Sequence, residues 1–209
     1  VDDRKLNSSV RGRRIATNAL LATLYAFFAL TNIMQWRSTH RPVGLGIMLL
    51  ELVAAVLFMV RRDPWSTSRA PLAWVATAIG SWGMLLARPA YAPAFGTEAL
   101  YIALQLVGAV AAACALGVLG RSFGLVAANR GIRTAGPYGI VRHPVYASYV
   151  LADLGYVLEN PSLRNAIVFA AVTTFQIVRI GTEESCLRAD DAYVRYCTRV
   201  PYRLVPGVW

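Results

Sequence analysis

The sequence predicts an all-α fold, a polytopic integral membrane helical bundle with five to six membrane helices, and three observations predict it. The 209 residues are 56% hydrophobic and only 15% charged, with a mean hydropathy of +0.47, too apolar for a water-soluble domain. The apolar residues fall into uncharged runs close to the twenty or so residues that a bilayer crossing takes. The basic residues collect between those runs in alternating excess: five before the first, two after it, three after the second, one after the third and four after the fourth. Basic loops stay on the cytoplasmic side, so this alternation expects both termini there.

Residues 1–14 are polar, with Arg4, Lys5, Arg11, Arg13 and Arg14, and read as a cytoplasmic N-terminal arm. The first span, 15–36, ends on Trp36, an indole suited to the far interface. The second, 43–60, carries Glu51 at mid-depth. An ionisable group there marks a site or bonds a neighbouring helix, and both readings stand. The third span, 71–86, contains Gly80, Ser81 and Gly83, small residues that let helices approach closely. A weakly charged loop with Tyr91 and Phe95 as aromatic anchors leads to the fourth span, 98–119, whose one interior polar side chain is Gln105.

Residues 120–143 form a connection too long for a turn, in which 122–128 reads as a short interfacial helix. Pro137 and Pro144 each disfavour helix in the preceding residue, so a fifth helix starts near Pro144, with Arg142 and His143 just ahead of its N-terminus. Free backbone N–H groups and the helix dipole favour an anion there, such as a carboxylate or phosphate. As topology alone, Arg142 is a basic loop residue. Helix five places Tyr146, Tyr149, Asp153 and Tyr156 on one face, a polar stripe that points into a bundle. Asn160 and Pro161 turn the chain into helix six, so 144–188 reads as a helical hairpin. On helix six Arg179 and Glu183 are four apart and face the same way.

The charge is +10, but the arginines lie between apolar segments and form no stripe on a soluble face, so membrane lipids are expected as partners and nucleic acid is not. Cys114, Cys186 and Cys197 lack metal-ligand spacing, and no metal is expected.

Five pieces in order carry a resemblance: Gly136-Pro137-Tyr138, Arg142-His143-Pro144-Val145-Tyr146, Asn160-Pro161, Arg179 four residues before Glu183-Glu184, and Arg199-Val200-Pro201. Over roughly 120–209 the chain resembles the isoprenylcysteine carboxyl methyltransferase family of integral membrane enzymes, in its prokaryotic form. Ser148 departs from a glycine common in that family. The resemblance implies a catalytic region at 120–209 with a cytoplasmic cofactor site, S-adenosyl-L-methionine as cofactor, and residues after 188 folded over it as a lid. It implies cofactor binding by Arg130, Gly131, Ile132, Arg133, Tyr138, His143, Pro144, Val145, Tyr146 and Glu183, and Glu184 beside Glu183 offers a further acceptor for the cofactor's ammonium and ribose. Arg179 and Glu183 are the expected catalytic pair, Arg179 orienting a substrate carboxylate. Arg142, Tyr149 and Asp153 join Arg179 as expected substrate contacts. The expected acceptor is a prenylated or other lipophilic small molecule, with a phospholipid or thiol as alternatives. An NADPH-dependent sterol-reductase-like enzyme and a non-enzymatic bundle also remain open. Neither the oligomeric state nor the acceptor is read from the sequence.

Overall fold

The computed structural model describes residues 3–64, 66–67, 70–90 and 96–209, with side chains from residue 12 onward except Ser66. Among the described residues seven helices carry the fold, and four of them are long and apolar enough to cross a membrane. Helix α1 (Asp3–Thr39) is continuous, so from Asp3 the expected arm is helical backbone leading into the first candidate span, Gly12–Thr39. The side chains of Arg4, Lys5 and Arg11 lie outside the described residues, as do Arg69, Tyr91 and Phe95. Helix α2 (Val43–Val60) returns antiparallel to α1, and Arg14 pairs with Asp63 across their shared end.

Helix α3 (Pro71–Trp82) starts on a proline, which needs no N–H donor at that position, and tightens into a 3-10 turn at Gly83–Leu86. Helix α4 (Glu98–Leu119) is capped by Thr97, whose side chain accepts from the Leu100 amide. Helix α5 (Pro144–Glu159) has 16 residues, about 24 Å at 1.5 Å per residue, short of a hydrocarbon layer of about 30 Å. Helix α6 (Leu163–Leu187), capped by Ser162, is long enough to cross. The five to six membrane helices therefore resolve into four spanning ones and two shorter, α3 and α5. Helix α7 (Asp191–Arg199) begins on the Asp190 cap and lies outside the spans.

The helices form an open ring. Helix α1 packs on α2, α2 on α4, α4 on α5, α5 on α6 and α6 on α3, while α1 and α3 share no comparable seam among the described residues. Small residues set the closest seams. A Cβ added at Gly108 of α4 would lie 2.6 Å from the Ala152 amide nitrogen of α5, and one at Gly155 would lie 2.9 Å from Leu104 Cβ. Gly80 and Gly83 admit Gln176 and Val172 of α6 in the same way, the close packing expected of the third span. Because backbone cannot retreat as a side chain can, Gly108→Ala is expected to destabilise by about 1–3 kcal/mol through overpacking. Gly117→Ala, on the same helix with open space around it, should be neutral or stabilise by up to about 1 kcal/mol. Thermal unfolding of the two variants in detergent checks the pair.

At one end of the ring Asn165, fully buried, donates to the Arg88 and Asn160 carbonyls and accepts from the Arg88 amide, which fixes the turn at Asn160 and Pro161. At the other end the long connection is not an interfacial helix at 122–128. It makes a 3-10 turn at Gly120–Ser122, and Ala128–Asn129 (β2) pairs antiparallel with Ser66–Thr67 (β1). A second 3-10 turn, Gly136–Gly139, opens on Gly136 at φ +58°, a left-handed value that favours glycine.

Candidate functional site

The ring encloses a cavity of about 410 Å³ that draws residues from α1 to α6. Its apolar part is formed by residues such as Phe28, Ile47, Leu50 and Met84, and its polar end by Tyr138, Arg142, His143, Tyr146, Arg179 and Glu183. The two turns imposed by Pro137 and Pro144 bring Tyr138, Arg142 and His143 to the mouth. The α5 stripe then continues inward, with Tyr146, Tyr149 and Asp153 all on the cavity wall.

At the polar end Tyr146 donates its hydroxyl to Glu183 Oε2 at 2.8 Å, and the Arg179 guanidinium sits 5.1 Å over the Tyr146 ring. Arg179 also donates Nη1 to Ser81 Oγ at 2.9 Å and Nη2 to the Leu125 carbonyl. Its Nε is buried without a partner among the described residues. Arg179 thus ties α3, α6 and the long connection around the cavity while keeping one donor open.

Glu184 takes a different place from its neighbour Glu183. It is 3% exposed and does not line the cavity. Its Oε1 accepts from Arg142 Nε at 2.9 Å and lies 3.3 Å from His143 Nε2, and its Oε2 accepts from Arg203 at 3.0 Å. Arg142 lines the cavity yet donates Nη1 to the Val200 and Pro201 carbonyls. The Arg142 and His143 amides donate to the Tyr202 and Arg203 carbonyls, each at 2.9 Å. The segment 200–203 is therefore strapped to the start of α5, and Glu184 is the anion at the centre of the strap. Glu184, expected to contact the cofactor, anchors the tail and stands off the cavity, and Arg142, an expected substrate contact, anchors the tail while also lining the cavity.

The amides of 142 and 143 are occupied by the tail, whereas those of Val145 and Tyr146 precede the first helical bond, from Ala147 N to the His143 carbonyl, and both residues line the cavity. Pro144 is buried and supplies only the preset φ of the first turn.

The segment Arg130, Gly131, Ile132 and Arg133 does not line the cavity. Ile132 packs against Tyr193, Tyr196 and Val200 under α7, and Arg133 is exposed. Arg130 is buried, with its carbonyl accepting from Ser122 Oγ; burial and the nearby Arg61 lower its pKa to about 10, so it stays cationic at neutral pH. Burial raises the Tyr138 pKa well above the usual phenol range, which keeps that hydroxyl neutral at the mouth.

Tyr196 of α7 donates to the Tyr138 carbonyl at 2.6 Å, and burial pushes its pKa up to about 12. Its proton is held more tightly folded than unfolded, where a tyrosine titrates near 10. The stability it contributes is whole below about pH 10 and is lost as pH rises toward 12. Tyr196→Phe should flatten the loss of stability across that window, read from unfolding midpoints at pH 9 to 12.

Sequence reasoning did not single out Gln176, Asn32 or Arg203. Gln176 lies three residues before Arg179 in an apolar run, a spacing that could have marked it. Asn32 and Arg203 meet their partners only through the tertiary fold.

A ring of apolar helices around an amphipathic cavity, polar at one end and framed by a strapped tail, defines a polytopic membrane protein with a central cavity. Residues 91–190, from just before α4 to the end of α6, match the family model for phospholipid methyltransferase, in the same superfamily of membrane methyltransferases as the isoprenylcysteine enzymes. No curated protein matches the chain. The comparison supports a membrane methyltransferase, and the matched residues include most of the polar end of the cavity.

Proposed function

We propose that the protein is an S-adenosylmethionine-dependent methyltransferase acting on a lipophilic acceptor, with its site at the cytoplasmic face. The observation that carries this reading is the Tyr146–Glu183 hydrogen bond beside Arg179, inside a cavity that runs from polar to apolar. The volume of about 410 Å³ lies within the range of about 300–1,000 Å³ usual for small-molecule sites.

The residues present fit the cofactor. Glu183 would accept from its ammonium or ribose hydroxyls, the Val145 and Tyr146 amides at the α5 N-terminus would hold its carboxylate, and the faces of Tyr138 and Tyr146 would suit a sulfonium. Bound there, S-adenosylmethionine supplies an electrophilic methyl group. The chain's own part is alignment and exclusion of water: α1–α3 wall the acceptor side, and the strapped tail braces the α5 head at the polar end. An isoprenylcysteine-type carboxylate would be aimed by the open Arg179 Nε. A phospholipid acceptor is a second reading, favoured by the family match.

Calorimetric titration of S-adenosylhomocysteine into the detergent-solubilised protein tests the proposal. Binding is expected, with His143→Ala weakening it about tenfold through the α5 head and NADPH giving no heat. Binding of NADPH with none of S-adenosylhomocysteine would replace the methyltransferase reading with the reductase one.

A further inference from the structure

The charge on the cavity wall is uneven. Three carboxylates line it, Glu51, Asp153 and Glu183, against two arginines and one histidine among the described residues. Arg142 and His143 are both engaged by Glu184, which leaves Arg179 as the one cation free of an ion pair. Arg179 in turn is held by Ser81, the Leu125 carbonyl and the Tyr146 ring.

The acceptor atoms, by contrast, are open. Glu51 receives one hydrogen bond, from Asn32 Nδ2 at 3.0 Å, and Asp153 receives none among the described residues. Gln176 supplies an independent sign: it is 2% exposed, it lines the same cavity, and its Oε1 has no partner among the described residues. A buried acceptor without a donor costs free energy unless a ligand supplies one. Glu51 and Asp153 belong to α2 and α5, at mid-helix, where an unneutralised carboxylate is expensive.

Within the methyltransferase reading, on which this inference rests, we propose that the acceptor is a lipophilic amine carrying neither phosphate nor carboxylate, recognised through Glu51 and Asp153. An amine brings hydrogen-bond donors and positive charge to Glu51 and Asp153, neither of which has an ion pair among the described residues. With Glu183 assigned to the cofactor, a carboxylate or phosphate on the acceptor would still meet those two carboxylates, and Arg179 is the one cation of the wall free of an ion pair. The sparser packing between α1 and α3 offers such a molecule a sideways route from lipid, past Phe28 of α1 and Leu85 of the 3-10 turn that follows α3, both of which line the cavity.

The chemistry balances. The amine nitrogen gives one proton to a carboxylate of the cavity, and its lone pair then takes the methyl group. The new N–C bond forms as the sulfur–methyl bond breaks, with the sulfur keeping the electron pair as a neutral thioether.

The test is equilibrium binding of radiolabelled dodecylamine to the full chain in nanodiscs, corrected for protein-free discs, with dodecanoate and dodecyl phosphate as competitors. Saturable amine binding is expected, which the two anions at equal concentration do not displace. Glu51→Gln and Asp153→Asn, both isosteric, should each weaken it about tenfold while leaving S-adenosylhomocysteine affinity within about twofold, a sign that the variants are folded. Displacement by dodecanoate or dodecyl phosphate as effective as by unlabelled amine, or amine binding indifferent to both substitutions, would overturn the proposal. Carboxylate-dependent amine binding without S-adenosylhomocysteine binding would keep the amine subsite and remove the methyltransferase reading.

Discussion

Replacing Glu184 by alanine lowers stability by about 3–5 kcal/mol, the cost of leaving buried partners of an ion pair without their counter-charge. Arg142 and His143 are 7% and 5% exposed, so water cannot replace the lost carboxylate. At about 2–4 °C per kcal/mol for a chain of this size, the unfolding midpoint should fall by about 6–20 °C. Arg203→Ala removes a partner that is more exposed and should cost about 1 kcal/mol or less. The contrast matters because both substitutions break the same strap, and only the first strands buried charge. Thermal unfolding in detergent gives the stability difference, and cleavage by trypsin at Arg199 and Arg203 reports release of the tail. An unchanged midpoint in Glu184→Ala would mean that the strap is held by the backbone bonds to Tyr202 and Arg203 and by Arg142 Nη1 on the Val200 and Pro201 carbonyls.

Glu183→Ala is expected to weaken S-adenosylhomocysteine about ten- to a hundredfold, the worth of one or two hydrogen bonds to a charged acceptor. It should lower methyl transfer by at least as much. Stability should change far less than in Glu184→Ala, since Glu183 is only half-buried and faces the cavity. Two further variants separate its roles. Tyr146→Phe removes the donor that orients Glu183 and leaves the charge, whereas Glu183→Gln keeps an oxygen for Tyr146 and removes the charge. If affinity follows charge, Glu183→Gln resembles the alanine variant and Tyr146→Phe stays near the parent. Ligand binding unaffected by Glu183→Ala would exclude the polar end of the cavity as the cofactor position.

The helices were legible because their signals are local. Uncharged runs set α1, α2 and α4, Pro144 set the head of α5, and Asn160 with Pro161 set the turn to α6. One local reading missed. Residues 122–128 looked like an interfacial helix, but part of their backbone bonding is met by the pairing of Ala128–Asn129 with Ser66–Thr67, far away in sequence.

The polar residues divide in the same way. By itself the sequence determined that this is a membrane bundle, that Tyr146, Tyr149 and Asp153 share one face of α5, and that Arg179 and Glu183 share one face of α6, since helical spacing fixes faces without reference to any partner. Only the tertiary structure decided what each group meets. It turned Glu184 to the tail and left Glu183 in the cavity, though the two are adjacent, and it laid Ile132 under α7. It also drew Glu51 to Asn32 and into the same cavity as Asp153. In an apolar medium a charged side chain takes the nearest opposite charge or open carbonyl, and how near that partner lies depends on chain segments tens of residues away.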